Sequence, residues 1–339
     1  MSTILLLVLV VGLVGLRFRK SGSHLSPDQT GTINGFFVLL VFLRHAVDYM
    51  DLGAGDYIFR VVNKNLDQLI VVPFLFYSGY GISLSIQKKG QRYVNQFPKN
   101  RIIKVWLHFA LAVVLYHALS LYLHKGYSAS RIALSYTGWE SIGNSNWYIF
   151  ATLFMYVATW LSFSLFRNKH LPAAIGLTAM ALGYIVFMRR IGKGLWWYDT
   201  ALVYPAGVVY GLYGSKIEKV LVKFLRPVAL AGMAGCFVVC YLLRLELVWR
   251  ELMAVAFALT IVFGTMIFKV GNPVLTFLGK YTFEIYILQR LPMTILKGHF
   301  SNRYLYFGVC FAVTVLLAVG FKMLLDLLDK ILFRNKQPS

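Results

Sequence analysis

The residue with the most chemical potential is a histidine near the end of an apolar stretch, Gly31 to Met50 (GTINGFFVLLVFLRHAVDYM). Ionisable side chains are costly inside a membrane helix and mark working sites there. Asn34 precedes His45 by eleven residues, which is three helical turns. The two therefore share a face about 16 Å apart, with Val38 and Val41 between them. Asp48, three residues past His45, extends the stripe. A carboxylate so placed accepts the proton of one imidazole nitrogen and leaves the other to act as a base. The competing reading is a histidine that only hydrogen-bonds a neighbouring helix, and the helix alone leaves both open.

Two further groups carry potential chemistry. Arg101 and Lys104 are three residues apart ahead of another apolar stretch. At a helix start they would share a face and, with free backbone amides, suit a phosphate; the alternative is a pair of membrane-interface anchors. Glu284 lies within the apolar YTFEIY segment, either as a partner for His45 or an acceptor hydroxyl, or paired with a buried arginine. Ser78 and Gly79 read as a close-packing site, because no nucleophile elbow surrounds the serine. Trp147, Tyr148, Trp196 and Trp197 suit an interfacial belt or a sugar platform. No metal-ligand spacing, phosphate loop or dinucleotide fingerprint occurs.

These residues must be positioned by membrane helices. Of the 339 residues, 58% are hydrophobic and only 14% charged, with a mean hydropathy of +0.66, far from the soluble average. An all-α, polytopic integral membrane bundle follows. The net charge of +21 sits in short clusters between apolar spans rather than in one stripe, which argues for topology and against a nucleic acid partner. Cys236, Cys240 and Cys310 all fall inside apolar spans and read as packing residues.

A first membrane helix is expected from Ile4 to Leu16, flanked by Arg17, Arg19 and Lys20. Further spans are expected near 33–50, 69–86, 102–123, 146–166, 171–188, 197–213, 227–243, 250–268, 273–291 and 304–328, giving a bundle of 10 to 11 transmembrane helices. Alternate loops are basic: Lys88 to Lys104, Arg167 to His170, Lys216 to Arg226, Lys269, and the tail from Lys330. The positive-inside rule assigns them and the C-terminus to the cytoplasm. Asp51, Asp56, Asp67, Glu140 and Asp199 fall on the other side, where the longer loops Asp51 to Gln68 and His124 to Ser145 form an outer mouth. Arg189, Arg190 and Lys193 break the pattern and suggest a basic site there.

The segments NGFFVLLVFLRH (Asn34 to His45), VPFLFYSGYGI (Val72 to Ile82), PKNRIIKVW (Pro98 to Trp106), NWYIFATLFMY (Asn146 to Tyr156), YPAGVVYG (Tyr204 to Gly211) and LGKYTFEIYIL (Leu278 to Leu288) occur in this order. Together the chain resembles acyltransferase family three, integral membrane O-acyltransferases of bacterial surface polysaccharides. The resemblance implies an acyltransferase domain over 31–329, with residues 1–20 an extra membrane helix and basic flank, 21–30 a linker and 330–339 a basic tail. It implies His45 as the essential histidine and Arg101 and Lys104 as the donor-binding basic pair, lysine standing where arginine is usual. The family's leading basic position falls on Asn34, a neutral amide, and its late histidine is absent, with Gln289 near that place. Arg44 is a poor substitute for the missing charge, since neighbouring helical residues point about 100° apart.

The function implied is transfer of an acetyl group from acetyl-CoA to a hydroxyl of a cell-surface or lipid-linked glycan. His45 would be the general base, oriented by Asp48 or Glu284, and Asn34, Arg101 and Lys104 would bind the donor. Partners implied are the cell-membrane bilayer, the glycan acceptor, and a second copy or glycan-assembly proteins. The other classes are a polysaccharide polymerase or lipid-linked glycan transporter, and a catalytically silent relative, which Asn34 favours.

Overall fold

The computed structural model describes residues 1–20, 23–222 and 226–333. Ser21 and Gly22 of the expected linker, 223–225 of one expected basic loop and 334–339 of the expected tail lie outside them. In chain order the elements are α1 (Ser2–Leu13), β1 (Leu16–Phe18), α2 (Pro27–Ala46), α3 (Tyr57–Leu66), α4 (Val72–Lys89), α5 (Gln91–Phe97), α6 (Lys104–Tyr122), α7 (Ala129–Ser135) and α8 (Trp147–Phe166). They continue with α9 (His170–Arg190), α10 (Val203–Val222), α11 (Arg226–Leu242), α12 (Leu247–Ile267), β2 (Phe268–Val270), α13 (Pro273–Lys280), α14 (Thr282–Leu288), α15 (Arg290–Ile295) and α16 (Arg303–Leu332).

The protein is a helical membrane protein. Among the described residues, seven helical runs are long and apolar enough to cross a bilayer: Pro27–Tyr49, Ala54–Lys89, Gln91–Tyr122, Trp147–Phe166, His170–Arg190, Leu247–Ile267 and Arg303–Leu332. Their outer faces are apolar, with Leu165 75% and Leu316 72% exposed, as a lipid-facing surface requires. The remaining expected spans differ from that standard for separate reasons. α1 has 12 residues and α11 has 17, while α10 carries Lys216, Glu218 and Lys219 towards its end. The stretch near 273–291 is broken into helices of 8, 7 and 6 residues. Pro292 has no N–H to offer the Leu288 carbonyl four residues back, so α14 ends there and the chain restarts as α15.

β1 and β2 pair antiparallel, Arg17 opposite Lys269. This brings two of the expected basic segments to one end of the bundle. α2 begins at that end, its Gln29 side chain accepting from Arg19 (3.1 Å). Ser26 caps it, accepting from the Gln29 amide, with Pro27 in the first turn. The helix therefore starts six residues before the expected 33 and carries His45 to the opposite end of the bundle.

Close backbone contacts fix α2. A Cβ at Gly35 would overlap the Leu275 carbonyl, and one at Gly279 the Gly31 carbonyl. Thr32 and Thr276 share a hydrogen bond of 2.7 Å across the same seam. Gly79 and Gly207 make the equivalent contact between α4 and α10, on the Tyr204 and Phe76 carbonyls. Small residues let helices approach in a membrane, where no hydrophobic force separates protein from lipid. Gly79 is thus a packing residue, and Ser78 bonds the Tyr156 hydroxyl at 2.9 Å. Phe42 packs edge-on against Phe307 and Phe311 and anchors the far end of α2 to α16. The three cysteines are unpaired.

Candidate functional site

His45 lines a cavity of about 450 Å³ at the end of the bundle remote from β1 and β2, together with Arg44, Asp48, Asp67, Gln68 and Arg290. Its far wall is the Ser141–Trp147 turn, Trp196 and Tyr286. The imidazole is 17% exposed, so it is reachable from the cavity. Its Nδ1 accepts from Arg290 Nη2 at 2.6 Å. A guanidinium only donates, so the neutral ring carries its proton on Nε2. The same Arg290 nitrogen donates to Asp48 Oδ2 at 3.0 Å, and Arg44 donates to Asp48 Oδ1 at 3.0 Å. Asp48 Oδ2 lies 3.9 Å from the His45 nitrogen, too far for a direct hydrogen bond.

The geometry therefore differs from the expected His45–Asp48 pair by one residue inserted between them. Arg290 is held by the start of α15, and the turn before it is pinned where Tyr116 donates to the Ile287 carbonyl (3.0 Å). The opposite wall is a tight turn in which Ser141 donates to the Asn144 carbonyl and Asn144 Oδ1 accepts from the Ile142 amide. Asn144 Nδ2 and Ser145 Oγ are buried without a hydrogen-bond partner and line the cavity. They are available to an entering hydroxyl.

A second cavity, about 750 Å³, opens at the basic end and is lined by Lys89, Arg92, Tyr93, Arg101, Lys104 and His108. The expected helix start is absent here. The chain stays helical from Gln91 to Tyr122, α5 running into α6 through a π-helical turn, Pro98–Ile103. Arg101 and Lys104 thus have no free backbone amides beside them. A wider π turn accommodates the ring of Pro98 and commonly marks functional positions. Arg101 donates to the Tyr93 hydroxyl (3.0 Å). Lys104 is paired with Asp329 at 2.6 Å, which His108 also contacts at 2.9 Å.

One face of α8 runs between the cavities. Tyr148, Thr152 and Tyr156 recur every fourth residue and so align. Tyr148 stacks edge-on against Tyr286 (5.2 Å), which faces the His45 ring at 6.4 Å. Tyr156 meets Phe97 and Tyr204 at the other end. Thr152 Oγ1 on this face is buried without a partner.

A family model described as an acyltransferase domain matches residues 33–323, most of the chain. The chain belongs to acyltransferase family 3. No curated protein and no solved structure matches it. Of the positions that the family resemblance singles out, His45 lies in one cavity and Arg101 and Lys104 in the other. Asn34 lines neither; its Oδ1 is buried with no partner. Arg44 is ten residues from Asn34, about 15 Å along the helix, and is engaged with Asp48, so it does not replace the missing charge. Glu284 faces α16, where Lys322 lies 3.7 Å away, and is not among the residues around His45. Gln289 is fully buried and donates to the Tyr286 carbonyl.

Three placements in this acyltransferase separate the earlier alternatives. Trp147 and Trp196 face the His45 cavity, whereas Trp197 is buried with Lys193 over its ring and over that of Trp139. Lys193 therefore belongs to an aromatic cage and not to an open basic site. Arg290, Lys89 and Arg92 were missed by sequence reasoning. The available signal was a basic residue two positions after the LGKYTFEIYIL segment, and two more within the basic Lys88–Lys104 loop. Among the described residues, no cluster of three or more His, Cys, Asp or Glu is placed to hold a metal ion.

Beside the His45 cavity lies a third, of about 560 Å³, which includes Asp199. Asp199 sits between the spans ending at Arg190 and beginning at Leu247. Burial, then the nearby Asp67, push its carboxyl up to about 7, with Arg250 opposing; Glu251 also faces it. A raised carboxyl leaves stability intact below the unfolded value and erodes it as pH climbs towards 7. Asp199→Asn should therefore unfold a few degrees above wild type at pH 8 and together with it near pH 4, as read by thermal unfolding.

Proposed function

We propose that this family 3 acyltransferase moves an acetyl group from acetyl-CoA to a hydroxyl of a cell-surface or lipid-linked glycan, with His45 as general base. The basic end would face the cytoplasm of a cell membrane, C-terminus included, and residues 31–329 would form the catalytic bundle. The observation that carries this reading is the pair of cavities at opposite ends of α4. Val71 borders the His45 cavity and Lys89 the basic one, about 27 Å apart at 1.5 Å per residue. Arg101, with Lys89 and Arg92, would hold the donor's phosphates. The unpartnered Thr152 hydroxyl on the α8 face suits an amide of the pantetheine arm.

At the His45 cavity the acceptor hydroxyl would give its proton to Nε2 as its oxygen attacks the thioester carbonyl carbon. That nitrogen must first be free of its own proton. Moving Arg290 off Nδ1 lets the ring carry its proton there, towards Asp48, and opens Nε2. The displaced guanidinium is then available to the tetrahedral oxyanion. Collapse breaks the carbon–sulfur bond, and the thiolate takes the proton back from Nε2. Asp48 is thus a positioning group for His45 and Arg290 a catalytic group that meets the oxyanion, while Glu284 pairs with Lys322 outside the cycle.

The test is acetyl-CoA binding to purified protein. Saturating acetyl-CoA should raise the unfolding temperature of wild type, and an Arg101→Ala, Lys104→Ala double variant should lose most of that shift. A wild type that acetyl-CoA does not stabilise would remove the donor assignment and leave a silent relative as the reading.

A further inference from the structure

The cavity containing Asp199 adjoins the His45 cavity through a shared wall: Asp67 and Gln68 line both. Three cations, Lys64, Arg244 and Arg250, and two carboxylates, Asp67 and Asp199, surround it. Asp199 is 5% exposed, and its Oδ1 has no hydrogen-bond partner. Its Oδ2 is 3.7 Å from Arg250, an ion pair too long to be a hydrogen bond. A buried carboxylate oxygen left open is costly unless a donor meets it. Arg244 is fixed in place, stacked 3.7 Å from the Tyr241 ring centroid and donating to the Tyr241 carbonyl at 2.6 Å. The Tyr241 hydroxyl in turn donates to Asn65 of the cavity wall. The partition is strained, since Asp67 has φ 37° with ψ −118°, outside the left-handed helical region that aspartate tolerates.

We propose that this cavity is a second saccharide subsite taking an anionic sugar residue, so that the acceptor spans both cavities across the Asp67–Gln68 wall. The proposal rests on the reading of the His45 cavity as the transfer site and extends it. Sugar hydroxyls both donate and accept, and the open Asp199 oxygen accepts one. The excess of cations over carboxylates selects a ligand that brings its own negative charge, and the fixed Arg244 guanidinium presents a planar fork to it. That charge is either a carboxylate on the sugar or the phosphate of a lipid-linked saccharide.

The experiment compares three probes with full-length protein at one ionic strength: a hexuronate trisaccharide, its carboxyl-reduced neutral counterpart, and a polyprenyl diphosphate. At least one anionic probe should bind roughly tenfold or more tighter than the neutral sugar, and Lys64→Gln, Arg244→Gln should erase that preference. Preference for the hexuronate identifies a sugar carboxylate; preference for the diphosphate identifies a lipid-linked phosphate. Lys64→Gln alone, at an exposed position, should lose part of the preference and controls for misfolding of the double variant. Equal binding of all three probes, or a preference untouched in both variants, overturns the subsite. Acetyl-CoA stabilisation measured in the same preparations reads the basic cavity at the other end. If it persists while anionic preference is absent, the subsite alone fails; if it is absent too, the transferase assignment fails with it.

Discussion

A His45→Ala protein should fold normally and lose acyl transfer by roughly 10²–10⁴-fold, the range expected for removal of a positioned base. Folding survives because the imidazole borders a cavity and makes one hydrogen bond, to Arg290, which keeps its bond to Asp48 when the ring is gone. The readouts are kcat with acetyl-CoA and a glycan acceptor, and the unfolding temperature. The loss should fall on kcat and leave donor affinity alone, because the basic cavity is at the other end of α4. Arg290→Ala should also be impaired, and the double variant should be little worse than His45→Ala, since groups acting as one unit are not additive. A His45→Ala enzyme with wild-type kcat would end the general-base mechanism.

The second large effect is structural. Gly279→Val should leave little monodisperse protein, because its side chain would occupy the space of the Gly31 carbonyl. Backbone cannot yield there as a side-chain tip would. Making room means parting α2 from α13, which breaks the Thr32–Thr276 hydrogen bond and displaces the helix that carries His45. Overpacking of this kind costs about 1–3 kcal/mol or more, and the membrane offers no hydrophobic gain to offset it. Gly264→Ala is the control: nothing lies within 4 Å of a Cβ there, and alanine favours the helix. A Gly279→Val protein that purifies and melts like wild type would show that the seam is not a tight one.

Much of this was legible in sequence because it is local. Apolar runs announced the membrane helices, and the eleven-residue interval from Asn34 to His45 set both on one helix. The clustering of Arg17, Lys269 and the Lys88–Lys104 loop at one end follows from alternation of charged loops. What escaped was made by distant residues. Arg290 is 245 residues from His45, and no periodicity in α2 points to it. The partner of Lys104, Asp329, comes from the last turns of α16. Arg101 and Lys104 read as the start of a new helix, whereas a π turn carries the helix through from α5. The stretch near 273–291 read as one span because its apolar content is continuous, while its breaks depend on Pro292 and on Tyr281, where the backbone leaves the helical region.

The pairing of Leu16–Phe18 with Phe268–Val270 constrains how the molecule is made. Its partners are separated by about 250 residues, so β1 emerges from the ribosome long before the strand that receives it. Gly271 donates to the Gly15 carbonyl and Asn272 to Val11 and Val14 at the same place. The other end of the first helix is tied to nearby sequence, Met1 to Asp56 and Ser2 to Gly55, so only its C-terminal end and β1 must wait for α12. Strand pairing is then the contact that closes the chain on itself, joining its first 20 residues to the segment that leads into α13.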